Sequence, residues 1–205
     1  MHLTVNQGYV GSNPTVPANV DAIYRISIIV IQIDDLVEGW FDFEEVYDIA
    51  VETIPEGGTF IECGAYQGRS IIYLALKMLE SNKRFKIFAL DDFSYGTQGM
   101  PNNYKILLEN LHRYGVDRVV RIVPRNGLRF RHRADWVFLD CAYGGDKDAY
   151  KTECMLLDHW VPQVNKGGYI GGHDYTNWLT LDIKRAVDER FSEVTTNKSS
   201  WYKML

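Results

Sequence analysis

Hydrophobic and polar positions along this chain follow two alternating periods from residue 59 onward. Short apolar runs bounded by turn residues predict buried strands, whereas apolar residues spaced three and four apart predict helices. The predicted strands are Thr59–Cys63, Phe85–Asp91, Arg118–Val123, Ala134–Asp140 and Gly167–Asp174. The predicted helices between and after them are Ser70–Ser81, Asn103–Gly115, Lys151–Val164 and Leu179–Phe191.

The two ends of the chain have patterns of their own. Residues 1–20 show no period and are predicted to be a loose tail, which leaves 21–205 as the folded domain. Residues 34–53 carry apolar residues at helical spacing, and Asp42 followed three residues later by Glu45 is typical of a capping box. The last residues, EVTTNKSSWYKML, predict two short strands around an Asn-Lys-Ser turn, as an antiparallel hairpin at the sheet edge.

Strands that alternate with helices indicate an α/β fold, because right-handed crossovers cover both faces of a parallel sheet. We therefore expect a single Rossmann-like, doubly wound, mostly parallel seven-stranded sheet with a C-terminal antiparallel hairpin. Ligands of such sheets bind at the carboxyl ends of the strands. The polar residues that end the predicted strands should therefore surround one crevice.

Composition narrows the classes of partner. The 205 residues carry a formal net charge of -5, which disfavours nucleic acid and favours a small-molecule partner. The apolar run ISIIVIQI, residues 26–33, is far shorter than the roughly 20 residues that span a bilayer. The start of the chain lacks the pattern of a secretion signal, and three scattered cysteines form no disulfide framework. We expect a cytoplasmic protein with no membrane partner, with a homo-oligomer left open.

The junction between the first predicted strand and its helix carries a glycine-bounded turn, ECGAYQGRS, at residues 62–70. Gly64 and Gly68 let the backbone approach a ligand closely, and the helix start offers N–H groups to an anion. A dinucleotide site favours G-x-G-x-x-G, and Glu62 would repel a pyrophosphate. That glutamate suits a cationic amino group instead. S-adenosylmethionine has an ammonium, a carboxylate and a ribose diol, so it fits, with Asp91 accepting the ribose hydroxyls.

The same motif is similar to the first motif of catechol O-methyltransferase. Residues 39–191, about three-quarters of the chain, resemble the small bacterial and phage methyltransferases related to macrocin O-methyltransferase. The chain thus resembles the class I S-adenosylmethionine-dependent methyltransferases. The cofactor-binding residues that this resemblance implies are Glu62, Gly64, Ala65, Tyr66, Gly68, Ser70, Asp91, Asp92, Asn126 and Asp140.

Roles within that set also follow from the resemblance. Glu62 and the backbone of Gly64 are expected at the methionine amino group, and Ser70 at the methionine carboxylate. Asn126 is expected near the adenine. Tyr66 is expected to pack along the cofactor, with the alternative that it fills a gap in the core.

Asp140, His173 and Asp174 end the fourth and fifth predicted strands and form the candidate catalytic and metal site. An oxygen-rich cluster suits Mg²⁺, and metal-dependent O-methyltransferases place an acid after strand four and a pair after strand five. A histidine at position 173 suits Mn²⁺ or Fe²⁺ at least as well.

Other readings of the cluster stay open. His173 is a candidate general base, since an unperturbed imidazole has a pKa of about 6.5. Tyr143 replaces the lysine base of catechol O-methyltransferase and completes the catalytic candidates with His173 and Asp140. Alternatively, Asp140 contacts only the cofactor, Asp174 caps the next helix and His173 makes a structural hydrogen bond.

Three functions are compatible with these residues. The first is methyl transfer from S-adenosylmethionine to a small molecule, at a hydroxyl oxygen, with or without a divalent metal. The second is a non-catalytic domain that binds a cofactor or partner. The third is a nicotinamide-dependent oxidoreductase, which the missing G-x-G-x-x-G disfavours. The arginine-rich segment 125–133 is either a site for an anionic acceptor or a solvated face.

Overall fold

The computed structural model describes residue 33 and residues 36–94, 99–141, 148–176 and 181–205, with the backbone alone for 99–101. The predicted tail, 1–20, lies outside these residues. The described helices are α1 (Glu44–Thr53), α2 (Arg69–Glu80), α3 (Gly99–Arg113), α4 (Ala149–Trp160) and α5 (Asp182–Arg190). The described strands are β1 (Thr59–Cys63), β2 (Lys86–Asp91), β3 (Val120–Pro124), β4 (Ala134–Leu139), β5 (Val164–Gly172), β6 (Thr195–Asn197) and β7 (Ser200–Met204).

All seven strands form one sheet in the order β3-β2-β1-β4-β5-β7-β6. The first five strands pair in parallel, and β7 pairs antiparallel with both β5 and β6. The predicted fold class is therefore confirmed, including the C-terminal hairpin at the sheet edge. Because β1 and β4 are neighbours at the point where the strand order reverses, their carboxyl ends form the switch-point crevice of the sheet.

Both faces of the central strands are buried, which explains their nearly continuous apolar runs. Successive residues of β1 and β4 point to opposite faces, so Phe60 and Phe138 join one core cluster while Ile61 and Val137 join the other. Helices α1, α2 and α3 contribute to the first cluster, and α4 and α5 contribute to the second. Among the described helices, none combines the length and apolarity needed to cross a bilayer.

Most element boundaries differ from the sequence prediction by a few residues, among them those of α3 and β5. Helix α3 begins at Gly99, four residues before the predicted start. The proline at position 101 is compatible with this start, because residues in the first helical turn do not need a backbone N–H. Strand β5 begins at Val164 and ends at Gly172. Its register with β4 shifts between Ala134 and Trp136, so the glycine-rich residues after Val164 form an irregularity within the strand.

The predicted capping role of Asp42 is wrong. Helix α1 begins at Glu44 and the residue before it is Phe43, which makes no side-chain cap. The carboxylate of Asp42 instead contacts His173 and Ser199, which are distant in sequence. Local sequence therefore predicted the helix, but tertiary partners determined what this acid binds.

Candidate active site

The turn after β1, residues 62–70, is shaped by backbone conformations that glycine permits. Gly64 has a φ of 101°, and a Cβ at this position would lie 1.9 Å from the carbonyl oxygen of Asp140. Gly68 has a φ of 91° and immediately precedes α2, so this helix has no capping side chain ahead of its first turn. The turn therefore brings the backbone after β1 into direct contact with the end of β4 and leaves a helix N-terminus suited to an anion.

Glu62 lies at the base of this turn and is fully buried. Its Oε1 accepts a hydrogen bond from the Ser70 hydroxyl at 2.6 Å, and its Oε2 accepts one from the Tyr47 hydroxyl at 2.7 Å. Burial raises the pKa of Glu62 to about 8, while these two hydrogen bonds act to lower it. The two hydrogen bonds thus hold the carboxyl group in one orientation. Because its pKa lies near neutral pH, its protonation state responds to changes in these hydrogen bonds or in the charges beside it.

Tyr47 of α1 is a site residue that sequence reasoning missed. Its ring packs within the aromatic cluster formed by Phe43, Phe60 and Phe138, and only its hydroxyl reaches Glu62. A tyrosine on the apolar face of a helix was the available signal, because a buried tyrosine hydroxyl needs a hydrogen-bond partner. The identity of that partner required the tertiary structure.

Asp91 ends β2 and holds the turn from the other side. Its Oδ2 accepts the backbone N–H of Tyr66 at 2.7 Å, and its Oδ1 accepts that of Phe93 at 2.6 Å. Each oxygen keeps a further lone pair, so the carboxylate can still accept hydroxyl groups. Burial raises the pKa of Asp91, against the lowering effect of these backbone donors. Ala65 is buried beside it, with its N–H directed at the carbonyl oxygen of Leu90.

A cavity of 660 Å³ opens beside the ends of β2 and β3, within the size range of small-molecule sites. Its lining residues are Asp92, Pro124, Arg125, Asn126, Leu128 and Arg129. Asn126 accepts the N–H of Leu128 at 3.0 Å, which starts a short 3₁₀ helix, and its amide lies 3.5 Å from Asp92 Oδ2. Hydrogen bonding by Ser94 lowers the pKa of Asp92. The predicted pair Asp92 and Asn126 therefore shares one cavity.

The arginine-rich segment divides into two parts. Arg125 and Arg129 line the cavity, whereas Arg133 hydrogen-bonds Asn165 at 3.0 Å and the Val164 carbonyl group at 3.2 Å. The later part of the segment therefore supports the start of β5, and only the earlier arginines face a ligand-sized space.

Asp140, His173 and Asp174 form what we call the acid–histidine cluster. One ligand atom from each residue lies within 4.8 Å of the others. His173 Nδ1 is 3.4 Å from Asp174 Oδ1 and 3.6 Å from Asp140 Oδ1. Burial raises the pKa of Asp140 to about 6, whereas a protonated His173 ring would act to lower it. An imidazole nitrogen and two carboxylates are a donor set that suits Mg²⁺, Mn²⁺ or Fe²⁺.

The second ring nitrogen of His173 is held by residues from two other parts of the chain. Nε2 lies 3.0 Å from Asp42 Oδ1 and 2.7 Å from Ser199 Oγ in the β6–β7 turn. Metal-ligating histidines commonly have such a carboxylate partner on the far nitrogen. Neither Asp42 nor Ser199 was among the predicted site residues, because nothing in the local sequence links either of them to His173.

The alternative that Asp174 caps the next helix is wrong, since Leu181 is the residue before α5. Asp174 has a left-handed backbone with a φ of 59°, as do Tyr66 at 44° and Phe93 at 57°. Each of the three lies just beyond the carboxyl end of a parallel strand. Such backbone strain costs roughly 1–3 kcal/mol per residue and concentrates at functional sites. The predicted catalytic residue Tyr143 lies outside the described residues.

Comparison with known proteins is consistent with this geometry. The sequence profile of a family described as "Methyltransferase domain" matches residues 61–175, more than half of the chain. The O-methyltransferase NovP is structurally similar, with a TM-score of 0.60, 20% identity, and coverage of 78% of this chain and 78% of that chain.

Two further structures share the fold at similar levels. The SAM-dependent O-methyltransferase of Thermotoga maritima has a TM-score of 0.55 and 18% identity, covering 74% of this chain and 52% of that chain. TrmN from Thermus thermophilus has a TM-score of 0.54 and 14% identity, covering 70% of this chain and 40% of that chain. At these identities the likeness shows the fold alone. No curated protein sequence matches significantly.

The family match begins within β1 and includes the turn, the end of β2 and the whole acid–histidine cluster. It confirms the resemblance that the turn motif carried. This chain belongs to the methyltransferase-domain family, among the class I S-adenosylmethionine-dependent methyltransferases.

Proposed function

We propose that this protein transfers the methyl group of S-adenosylmethionine to a hydroxyl oxygen of a small-molecule acceptor, with a divalent cation at the acid–histidine cluster. One observation carries the proposal: the turn after β1 and the end of β4 touch, where a Cβ on Gly64 would collide with the Asp140 backbone. A cofactor on the turn and an acceptor at the cluster would therefore be neighbours. Methyl transfer depends chiefly on such proximity and alignment.

On the cofactor side, each polar part of S-adenosylmethionine has a partner of suitable chemistry. Glu62 would receive the ammonium group, and the start of α2 with Ser70 would receive the methionine carboxylate. Asp91 would accept the ribose hydroxyls through its remaining lone pairs. The cavity that contains Asp92 and Asn126 would hold the adenine. Tyr66, held by Asp91 through its N–H, would lie along the cofactor.

On the acceptor side, the charge of the cluster supports a cation. No lysine or arginine among the described residues forms an ion pair with Asp140, and Asp42 adds a third carboxylate around His173. Asp140, His173 and Asp174 would hold the cation, and a bound Mg²⁺ or Mn²⁺ would supply acidification and orientation of an acceptor hydroxyl. Without a cation, His173 Nδ1 is positioned to take the hydroxyl proton.

The test is isothermal titration calorimetry of S-adenosylmethionine into the protein after EDTA treatment, then with Mg²⁺ or Mn²⁺ added. We expect Asp91→Ala to weaken cofactor binding at least tenfold, since the turn and the ribose partner are both lost. Asp174→Asn should abolish the heat of metal binding while leaving cofactor binding intact. The matched control is Asp158→Asn, which removes a surface acid paired with Arg190.

Each part of the proposal has its own contrary result. Cofactor binding by the wild-type protein with no heat from either metal would remove the cation and leave His173 as the base. No cofactor binding in any condition would favour the non-catalytic binding domain instead. Methyl transfer from labelled cofactor to a panel of hydroxylated small molecules then identifies the acceptor.

A further inference from the structure

We propose that Asp42 and Ser199 are positioning residues that hold the His173 ring as the tautomer protonated on Nε2, so that the Nδ1 lone pair faces Asp140 and Asp174. The inference deepens the proposed function, because the availability of that lone pair is what a metal ligand or a general base requires. It assigns a role to a loop before α1 and to the C-terminal hairpin, both far from the cluster in sequence.

The hydrogen bonds around Nε2 have one consistent arrangement. The carboxylate of Asp42 can only accept, and its Oδ1 lies 3.0 Å from Nε2. The Ser199 hydroxyl lies 3.1 Å from both Asp42 oxygens and 2.7 Å from Nε2. If Ser199 donates its single hydrogen to Asp42, its oxygen and the carboxylate both accept from Nε2. A bare Nε2 would instead set its lone pair against a carboxylate, so the proton belongs on Nε2.

Among the described residues, the opposite ring nitrogen, Nδ1, has no comparable hydrogen-bond partner. Its distances to Asp174 Oδ1 and Asp140 Oδ1 are 3.4 Å and 3.6 Å, longer than an N–H···O hydrogen bond. A proton on Nδ1 would therefore be poorly bonded, whereas a cation among the three atoms would satisfy all of them. The geometry thus favours a lone pair on this nitrogen.

Packing fixes the plane of the ring but not the position of its proton. His173 is 7% exposed, and its backbone N–H donates to the Leu139 carbonyl group at 3.0 Å. The centre of its ring lies 5.0 Å from that of the Phe43 ring. A ring flip would place carbon atoms opposite Asp42 and forfeit its hydrogen bonds. Asp42 and Ser199 therefore select both the orientation and the tautomer.

The contact between the start of α1 and the β6–β7 hairpin also supplies matched controls. Near Asp42, the start of α1 also contacts the hairpin through an ion pair of Glu44 with Lys198 at 3.5 Å and a hydrogen bond of Glu45 with Asn197. These contacts join the same two elements without touching His173. Glu44→Gln and Glu45→Gln therefore test loosening of the junction by itself.

The direct measurement is the protonation of each ring nitrogen, read from long-range ¹H–¹⁵N correlation spectra of the metal-free protein, with His173→Gln identifying the signals. We expect the wild-type His173 ring to carry its proton on Nε2 only. Asp42→Ala should give a mixture of tautomers, Ser199→Thr should retain the wild-type spectrum because it keeps the hydroxyl, and both glutamine controls should leave it unchanged.

A proton on Nδ1 in the wild-type protein, or an unchanged spectrum in folded Asp42→Ala, would overturn the inference. Should Asp42→Ala fail to fold, Asp42→Asn takes its place and the wild-type spectrum remains decisive. Mn²⁺ titration followed by electron paramagnetic resonance separates this inference from the proposed function. We expect about tenfold weaker Mn²⁺ binding in Asp42→Ala.

The two ideas fail in different ways. Equal Mn²⁺ affinity in the wild-type protein and Asp42→Ala would refute the positioning role and keep the metal site. A wild-type protein that shows the Nε2 tautomer but binds no Mn²⁺ would support the positioning role and remove the metal from the proposed function.

Discussion

The turn after β1 and the acid–histidine cluster lie at the same edge of the sheet, but the chain builds them in opposite ways. The turn consists of nine consecutive residues, and its buried carboxyl group, Glu62, has both oxygens hydrogen-bonded. The cluster depends on Asp42, which lies 131 positions from His173 and 157 from Ser199. The turn is thus specified mainly locally, and the cluster is specified by long-range contacts.

The two regions also differ in their electrostatic balance. Around the turn, hydroxyl donors meet the Glu62 carboxyl group and backbone donors meet that of Asp91, so both groups have hydrogen-bond partners within the fold. In the cluster, several carboxyl groups surround one imidazole, and Oε1 of the nearby buried Glu153 has no hydrogen-bond partner within the part of the chain that the structure describes. A preformed turn suits a cofactor that binds with little rearrangement, whereas an excess of acids suits a site that a cation completes.

The largest expected effect comes from Gly64→Ala, because Gly64 is where the two regions touch. A Cβ there would lie 1.9 Å from the Asp140 carbonyl oxygen, and the φ of 101° at this position is unfavourable for alanine. We expect the free energy of unfolding to fall by more than about 4 kcal/mol, or the protein not to fold. Urea denaturation followed by circular dichroism measures this.

Gly57→Ala is the control for backbone strain alone, since Gly57 has a φ of 76° and no atom of the described residues lies within 4 Å of a Cβ there. It should cost about 1 kcal/mol. Equal losses in the two variants would show that the contact between the turn and β4 does not constrain the site.

The second effect concerns the charge behind the cluster. Burial raises the pKa of Glu153 from 4.5 to about 8, so the folded protein holds a proton that the unfolded chain releases. This contribution to stability is present below pH 4.5 and is lost as the pH rises to about 8. Glu153→Gln should therefore be more stable than the wild-type protein by roughly 4 kcal/mol at pH 8, with no advantage at pH 4.5.

Denaturation curves across this pH range check the prediction, with the exposed Glu80→Gln on α2 as the control. A pH-independent difference between Glu153→Gln and the wild-type protein would contradict the assigned burial of this carboxyl group.

The smallest effect tests Tyr47, a long-range hydrogen-bond partner of the buried Glu62 in the turn. Tyr47→Phe removes one donor to Glu62, so the free energy of unfolding should fall by about 1 kcal/mol. Because that hydrogen bond lowers the pKa of Glu62, its loss should leave more of the carboxyl group protonated at pH 7. S-adenosylmethionine should then bind a few-fold more weakly at pH 7 than to the wild-type protein, with the gap closing towards pH 9.

Calorimetry at several pH values checks this, and Tyr73→Phe on α2, which removes a hydroxyl bonded to Asp48 instead, is the control. The same affinity gap at all pH values would indicate that Glu62 does not receive the cofactor's ammonium group.

Much of the site was predictable where adjacent residues carry the information. The turn of residues 62–70 and the acid at the end of β2 were identified because strand, glycine and helix signals are local. The link of Asp42 to His173 was not predictable, and the capping pattern around Asp42 pointed to a different role. Tyr47 was visible only as an apolar-face aromatic, since its partner lies 15 positions away on a strand.

Local patterns were sufficient to predict the order of strands and helices, the turn that resembles a cofactor motif, and which polar residues end the strands. Periodicity and turn chemistry act over a few residues, so they can be read without the fold. The fold was needed to show which polar groups share hydrogen bonds: Glu62 with Tyr47, and His173 with Asp42 and Ser199. Those pairings depend on the distances that packing sets between elements, and no local pattern encodes such distances.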